Sequence, residues 1–246
     1  MEKIIVLGDI HGRQTWKLAL QTQEWDKAIF VGDYFDTHDD IPGVEQLNNF
    51  EQICKFKRNS VKPIILLIGN HDHHYFPEVG YSGTSGYQAK IAKSFEFAIN
   101  ENRDLLQMSH YERNTLFSHA GVGEHYLDVI CKLKNLEKPD YTAEKISEFI
   151  NELWKNLPLA FSYMRFDNSG YGECMGQTPI WIRPKSLHKD SREMNKEGIV
   201  QVVGHTQVKT IDIEACTKTG IFTIDALGTS GEYLIIEDGQ FKTGKI

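Results

Sequence analysis

Short runs of consecutive apolar residues recur along the chain, and each is closed by glycine or serine beside a polar group. Ile4–Leu7 leads into Gly8-Asp9-Ile10-His11-Gly12, Ala28–Val31 into Gly32-Asp33-Tyr34-Phe35-Asp36, and Ile64–Ile68 into Gly69-Asn70-His71-Asp72. Further on, Leu116-Phe117 leads to Ser118-His119-Ala120-Gly121, and Ile199–Val203 to Gly204-His205-Thr206. Uninterrupted apolar runs of this kind predict strands covered on both faces. Between the first three, Trp16 and Leu20 recur at helical spacing, as do Val44, Leu47, Phe50 and Cys54. A βαβαβ opening with parallel strands follows. Ligands of such sheets gather at the carboxyl ends of the strands, where the polar motifs fall.

Downstream, Tyr81–Gly86 reads as a flexible loop, and Ile91, Phe95 and Ile99 mark one helix face. Leu105–Tyr111 and Thr115–Ser118 are expected to pair as a hairpin around Glu112-Arg113-Asn114. Residues 124–164 read as helical, with a stripe of Ile146, Phe149, Ile150, Leu153 and Leu157 running to Pro158. A loop is expected over 167–198, carrying Trp181-Ile182-Arg183, and strands over Val208–Ile213, Ile221–Ile224 and Tyr233–Ile236. Two packed sheets with flanking helices account for this order better than one sheet. The stretch 124–164 is then a helical elaboration of a single domain spanning 1–246.

The 246 residues suffice for a full core, and 40% hydrophobic with 25% charged content is ordinary for a globular domain. A net charge of −7 argues against an extended nucleic-acid surface, which needs a basic stripe. Two divalent cations would offset more than half of it. Cys54, Cys131, Cys174 and Cys216 are too scattered for a zinc ribbon or a disulfide framework. With no signal peptide after Met1 and no apolar stretch of membrane length, a cytoplasmic setting is expected. The oligomeric state is not legible.

Five strand ends offering carboxylate, amide oxygen or imidazole point to a centre for two metal ions. Asp9 and His11, two apart at a turning strand end, would grip one ion. Asp33 on the neighbouring strand is the natural bridge. Asn70 adds a neutral oxygen, and His119 and His205 supply imidazoles to the second ion. Singly, each motif reads equally well as a turn residue, a helix cap or a hydrogen-bonded histidine. The joint order is what favours metal. Carboxylate and imidazole suit Mn first, with Fe or Zn as alternatives.

This order of motifs resembles the calcineurin-like metallophosphoesterase superfamily, and within it the bacterial and phage phosphoprotein-phosphatase type. The resemblance spans residues 8 to 206, and the Ile224-Asp225 strand end is also similar. It implies an α/β/β/α four-layer sandwich, with Asp9, His11 and Asp33 on the first metal and Asp33, Asn70, His119 and His205 on the second. It further implies that His71 protonates the leaving group with Asp36 behind it, that Arg183 binds phosphate, and that a metal-bridging hydroxide attacks phosphorus directly. A carboxylate beside an imidazole favours its charged form, consistent with a loaded acid.

The chain also departs from that type. Asp36 is followed by Thr37-His38 where Arg-Gly is usual, and Ile68 and Asp72 flank Gly69-Asn70-His71 where Arg and Glu are usual. His38, His73 and His74 are candidates for the substrate rim, with ordinary loop positions as the plainer reading. The expected function is a phosphomonoesterase acting on phosphoprotein or small phosphorylated substrates. The rivals are a nucleotide-directed hydrolase (a dinucleoside polyphosphate hydrolase, or a cyclic nucleotide or RNA phosphodiesterase) and a non-catalytic scaffold.

Overall fold

The computed structural model describes residues 2–80, 86–164 and 173–246. The expected loop at Tyr81–Gly86 therefore lies outside the described residues except for Gly86, as does the 167–172 part of the expected loop at 167–198.

The strands are β1 (Lys3–Leu7), β2 (Lys27–Phe30), β3 (Ile64–Leu67), β4 (Leu106–Gln107), β5 (Ser109–Glu112), β6 (Thr115–Ser118), β7 (Val200–Val203), β8 (Ile221–Thr223), β9 (Glu232–Glu237) and β10 (Gln240–Lys245). They form two sheets, one ordered β10-β9-β1-β2-β3-β4 and the other β5-β6-β7-β8. In the first, β1 to β4 run parallel, and β9 runs antiparallel to its two neighbours, β1 and β10. In the second, β6, β7 and β8 run parallel.

The helices are α1 (Thr15–Gln21), α2 (Gly43–Asn59), α3 (Asn70–His73), α4 (Ala92–Glu101), α5 (Glu124–Lys134), α6 (Ala143–Asn156), α7 (Pro184–Asp190), α8 (Arg192–Lys196) and α9 (Ile213–Thr219). The central strands are apolar on both sides because each face meets a different layer. Ile5 and Leu7 of β1 pack with Trp16, Ala19, Phe50 and Phe95 of the helices. Ile4 and Val6 pack with Phe117, Val202 and Phe222 of the opposite sheet. Beyond that sheet, α6 lies on β5 and β6, and Leu187 of α7 covers Val203 and Ile221. The result is the α/β/β/α layering, with α5 and α6 inside the stretch 124–164.

Several expected elements differ. The hairpin forms between β5 and β6, but its first arm is split. Leu106–Gln107 pairs with β3 of the first sheet, and Ser109–Glu112 with β6 of the second. Val208–Ile213 is not a strand: Asp212 caps α9, its side chain accepting from Ala215 N at 3.0 Å. The stretch read as a loop after Arg183 folds into α7 and α8. Val44 is 59% exposed, because α2 instead buries Gln46 and Asn49, whose side chains bind the Asp36 backbone and the Trp16 indole.

Among the described residues, no helix is long and apolar enough to cross a membrane.

Candidate metal centre

Six parallel strands from the two sheets end at one place. β1 delivers Asp9 and His11, β2 delivers Asp33 and Asp36, and β3 runs into α3 with Asn70 and His71. From the facing sheet, β6 delivers His119, β7 His205 and β8 Asp225. Small residues make this convergence possible. A Cβ on Gly69 would lie 2.0 Å from Asp33 Oδ1, and one on Gly204 would lie 2.1 Å from Asp9 Oδ1. His11, Asp33, Asp36 and His205 all adopt positive φ, at 45°, 52°, 60° and 61°. Such left-handed backbone in non-glycine residues is strained, and strain of this kind gathers at functional sites.

Asp72 is the clamp that holds this turn together. Its buried carboxylate accepts from the backbone N–H groups of Asp33 (2.8 Å), Tyr34 (2.7 Å) and Gly69 (2.9 Å), tying the ends of β2 and β3 to each other. Asp33 Oδ1 in turn accepts from His71 N at 2.9 Å, and Asp9 Oδ1 from His205 N at 3.0 Å.

The structure brings Asp9, His11, Asp33, Asn70, His119 and His205 together. Each of the three histidines spends one ring nitrogen on a main-chain carbonyl: His11 Nδ1 on Phe35 O and His119 Nδ1 on Val31 O, both at 2.8 Å, and His205 Nε2 on Trp181 O at 3.1 Å. The other nitrogen of each faces inward. His119 Nε2 lies 3.3 Å from Asp33 Oδ2 and 3.0 Å from Asn70 Oδ1. His205 Nδ1 lies 2.8 Å from Asn70 Oδ1, and His11 Nε2 lies 3.7 Å from Asp33 Oδ2 and 3.9 Å from Asp9 Oδ2. A backbone acceptor that fixes tautomer and ring direction is the usual support behind an imidazole ligand.

Electrostatics fit a cation. Burial depresses His11 to about 4 and, with the charges of His119 and Arg183, holds His205 well below the ordinary imidazole value. Both rings are therefore neutral near pH 7, and their inward nitrogens present lone pairs to oxygen acceptors. Burial, reinforced by the charges of Asp225 and Asp33, pushes Asp9 well above the carboxylate range. Burial likewise raises Asp225 to about 6, with Arg13 pulling it down and Asp33 pushing it up. Burial opposes charge on His119 too, but Asp33 and Asp9 outweigh it and carry the ring up to about 10. Asp9, His11 and Asp33 form one grouping of closely spaced donor atoms, all within 4.8 Å of one another. Asp36, His71 and His74 form another.

A family model described as calcineurin-like phosphoesterase matches residues 2–209. The chain belongs to that family. Calcineurin-like phosphoesterases are metal-dependent; this chain is a hydrolase of phosphoesters, and its two groups of closely spaced donors are places that could hold metal. Among solved structures, the cold-active protein-tyrosine phosphatase of a psychrophilic Shewanella species is similar. It has a TM-score of 0.61 at 17% identity, over 100% of this chain and 78% of that one. A mutant of a cold-active protein tyrosine phosphatase gives 0.63 at 16% identity, over 100% and 78%. A protein serine/threonine phosphatase from Saccharomyces cerevisiae gives 0.52 at 13% identity, over 100% and 80%. No curated protein matches by sequence. At these identities the structures show a shared fold.

Beside the donor cluster of this phosphoesterase, His71 Nδ1 lies 3.3 Å from Asp36 Oδ2, and its ring stands edge-on to that of His11 at 5.4 Å. Burial alone would lower His71, but Asp33, Asp36 and Asp72 together raise it above an ordinary imidazole. Arg183, the residue before α7, reaches across with Nη1 to His205 O (3.2 Å) and Thr206 Oγ1 (3.1 Å).

The structure removes two histidines from the candidate substrate rim. His73 and His74 are buried, and His73 Nε2 meets Pro158 O at 3.0 Å. His38 is exposed. Sequence reasoning gave no task to Asp72, although its place directly after Asn70-His71 was a signal. It also missed Tyr75 and Gln88, which surround Asp36 without any motif to mark them.

Proposed function

We propose that this phosphoesterase is a phosphomonoesterase working with two divalent transition cations, manganese first among them, on phosphoprotein or small phosphorylated substrates. One observation carries the reading. Asp33 Oδ2 lies 3.7 Å from His11 Nε2, which neighbours Asp9, and 3.3 Å from His119 Nε2, which neighbours Asn70. A single carboxylate facing two ligand sets is what sharing between two cations requires. Asp9, His11 and Asp33 would hold one ion; Asp33, Asn70, His119 and His205 would hold the other.

Bound there, the ions would polarise phosphoryl oxygens and make a water nucleophilic at neutral pH. The chain's own groups supply the rest. Arg183 offers a planar pair of N–H donors to equatorial phosphoryl oxygens, where negative charge accumulates. His71, held at Nδ1 by Asp36, carries a proton at Nε2 for the departing oxygen. No other arginine is recruited for the phosphate in this reading, because Thr37 and Ile68 stand where the phosphatase type has arginines. The similar structures bear the names of protein phosphatases, which supports the same class of substrate here.

The test is turnover of p-nitrophenyl phosphate against bis-p-nitrophenyl phosphate by Mn²⁺-loaded protein. The monoester is expected to be the better substrate by kcat/KM. Dominant diester cleavage would overturn the proposal in favour of a nucleotide-directed hydrolase.

A further inference from the structure

Asp36 does more than back His71. Its carboxylate is fully buried and, among the described residues, receives four side-chain partners. Tyr75 Oη donates to Oδ1 at 2.6 Å, and Gln88 Nε2 donates to the same oxygen at 3.2 Å. Oδ2 is shared by His71 Nδ1 at 3.3 Å and His74 Nε2 at 2.7 Å. The main chain is fixed as well: Asp36 N donates to Gln46 Oε1 at 2.9 Å, and Gln88 Nε2 binds that same Gln46 oxygen at 3.0 Å. Gly86 seals the assembly, since a Cβ there would lie 3.2 Å from Asp36 Cβ and 3.4 Å from His71 Cε1.

We propose that His74 is a positioning residue for phosphoester cleavage, fixing Asp36 Oδ2 so that His71 is held with Nδ1 on the carboxylate and Nε2 toward the leaving group. The proposal rests on the assignment of His71 as proton donor. Tyr75 and Gln88 both act on Oδ1, so they leave the carboxylate free to rock about the axis through that oxygen. His74 pins the other end. Its contact to Oδ2 is shorter than that of His71, and its ring is buried while the His71 ring is partly exposed. The stacked rings of Tyr75 and Tyr87, with centroids 5.2 Å apart, wall His74 in from the side.

The chemistry makes the consequence specific. When the ester P–O bond breaks, its electron pair stays on the leaving oxygen, which takes the proton from His71 Nε2. A p-nitrophenolate leaves readily without that proton, whereas an alkoxide does not. Loss of positioning should therefore fall hardest on poor leaving groups, while a general loosening of the fold would lower all substrates alike.

The experiment compares kcat/KM for glycerol phosphate and p-nitrophenyl phosphate in the metal-loaded wild type, His74→Leu, His74→Gln and His71→Asn. The alkyl-to-aryl ratio cancels any difference in the fraction of folded enzyme. The ratio is expected to fall roughly 10–100-fold in His74→Leu, the range for a group supporting a reactive one. His74→Gln, which keeps an N–H donor, should recover most of it. An unchanged ratio in His74→Leu, with His71→Asn lowering it, would overturn the proposal and leave the acid assignment standing. An unchanged ratio in His71→Asn would overturn both.

Discussion

His119 turns Nε2 to Asp33 Oδ2 at 3.3 Å while its Nδ1 donates to the Val31 carbonyl, so the ring is held between the Asp33 carboxylate and the end of β2. In the metal-free protein this contact is an ion pair. Asp33 and Asp9 hold the imidazole proton on up to about 10, and the imidazolium in turn helps keep Asp33 well below the usual carboxylate range.

A cation at this position must displace that proton. Because the folded-state value lies above the ordinary 6.5, His119 is charged across neutral pH and would have to release H⁺ to serve as a ligand. Titration of metal-free protein with Mn²⁺ at pH 7.5, in buffers of different ionisation enthalpy, should show proton release and an affinity that climbs with pH. His119→Asn should release fewer protons. Binding without proton release would refute the pairing.

The glycines before Asn70 and His205 leave no room for a methyl group. Gly69→Ala would push Asp33 aside, and Gly204→Ala would push Asp9, since each new Cβ falls on a carboxylate oxygen. Each variant is expected to keep its far-ultraviolet circular dichroism but to lose metal affinity by roughly 10–100-fold or more. Isothermal titration measures this directly, and wild-type affinity in Gly69→Ala would refute the packing argument.

Asp72 binds three main-chain N–H groups and touches no substrate in this account. Asp72→Ala would leave those donors buried without acceptors, at about 1–3 kcal/mol each. A drop in urea midpoint together with weaker metal binding is expected, because the same N–H groups shape the turn that carries Asp33. A variant with the wild-type midpoint would show that the clamp is dispensable.

Arg183 is held at the His205 carbonyl and Thr206, where a lysine cannot reproduce a planar fork. Arg183→Lys should lower kcat/KM for p-nitrophenyl phosphate by about 10²-fold, comparable to losing one transition-state donor. Bound metal should stay at the wild-type level. A loss confined to metal content would move Arg183 from phosphate to scaffolding.

Much of this was legible in the chain because strand and motif coincide: an apolar run predicts a buried strand, and the polar residue that closes it falls at the sheet edge. The same logic failed where local chemistry overrides pattern. Val208, Ile211 and Ile213 look like a strand, yet Asp212 behaves as the N-cap its type favours and starts α9. β10 carries almost no apolar residue and went unseen, although Asp238-Gly239, at φ 52° and 79°, is a recognised hairpin turn pair. Phe241, stacked on Phe222 at 4.1 Å, supplies that strand's anchor. The partition of Leu106–Gln107 and Ser109–Glu112 between two sheets depends on tertiary pairing that no local pattern encodes. Asp225 stayed without a role, and His74 was placed at the substrate rim instead of on Asp36, for the same reason, since their partners lie far away in sequence.

The sharing of Asp33 is tested most directly by metal stoichiometry. Elemental analysis of purified, reconstituted wild type and Asp33→Asn, alongside their p-nitrophenyl phosphate turnover, is the decisive comparison. The account predicts two divalent ions per wild-type chain, fewer than one in the variant, and at least about a hundredfold loss of rate. Two retained ions and full turnover in Asp33→Asn would contradict it.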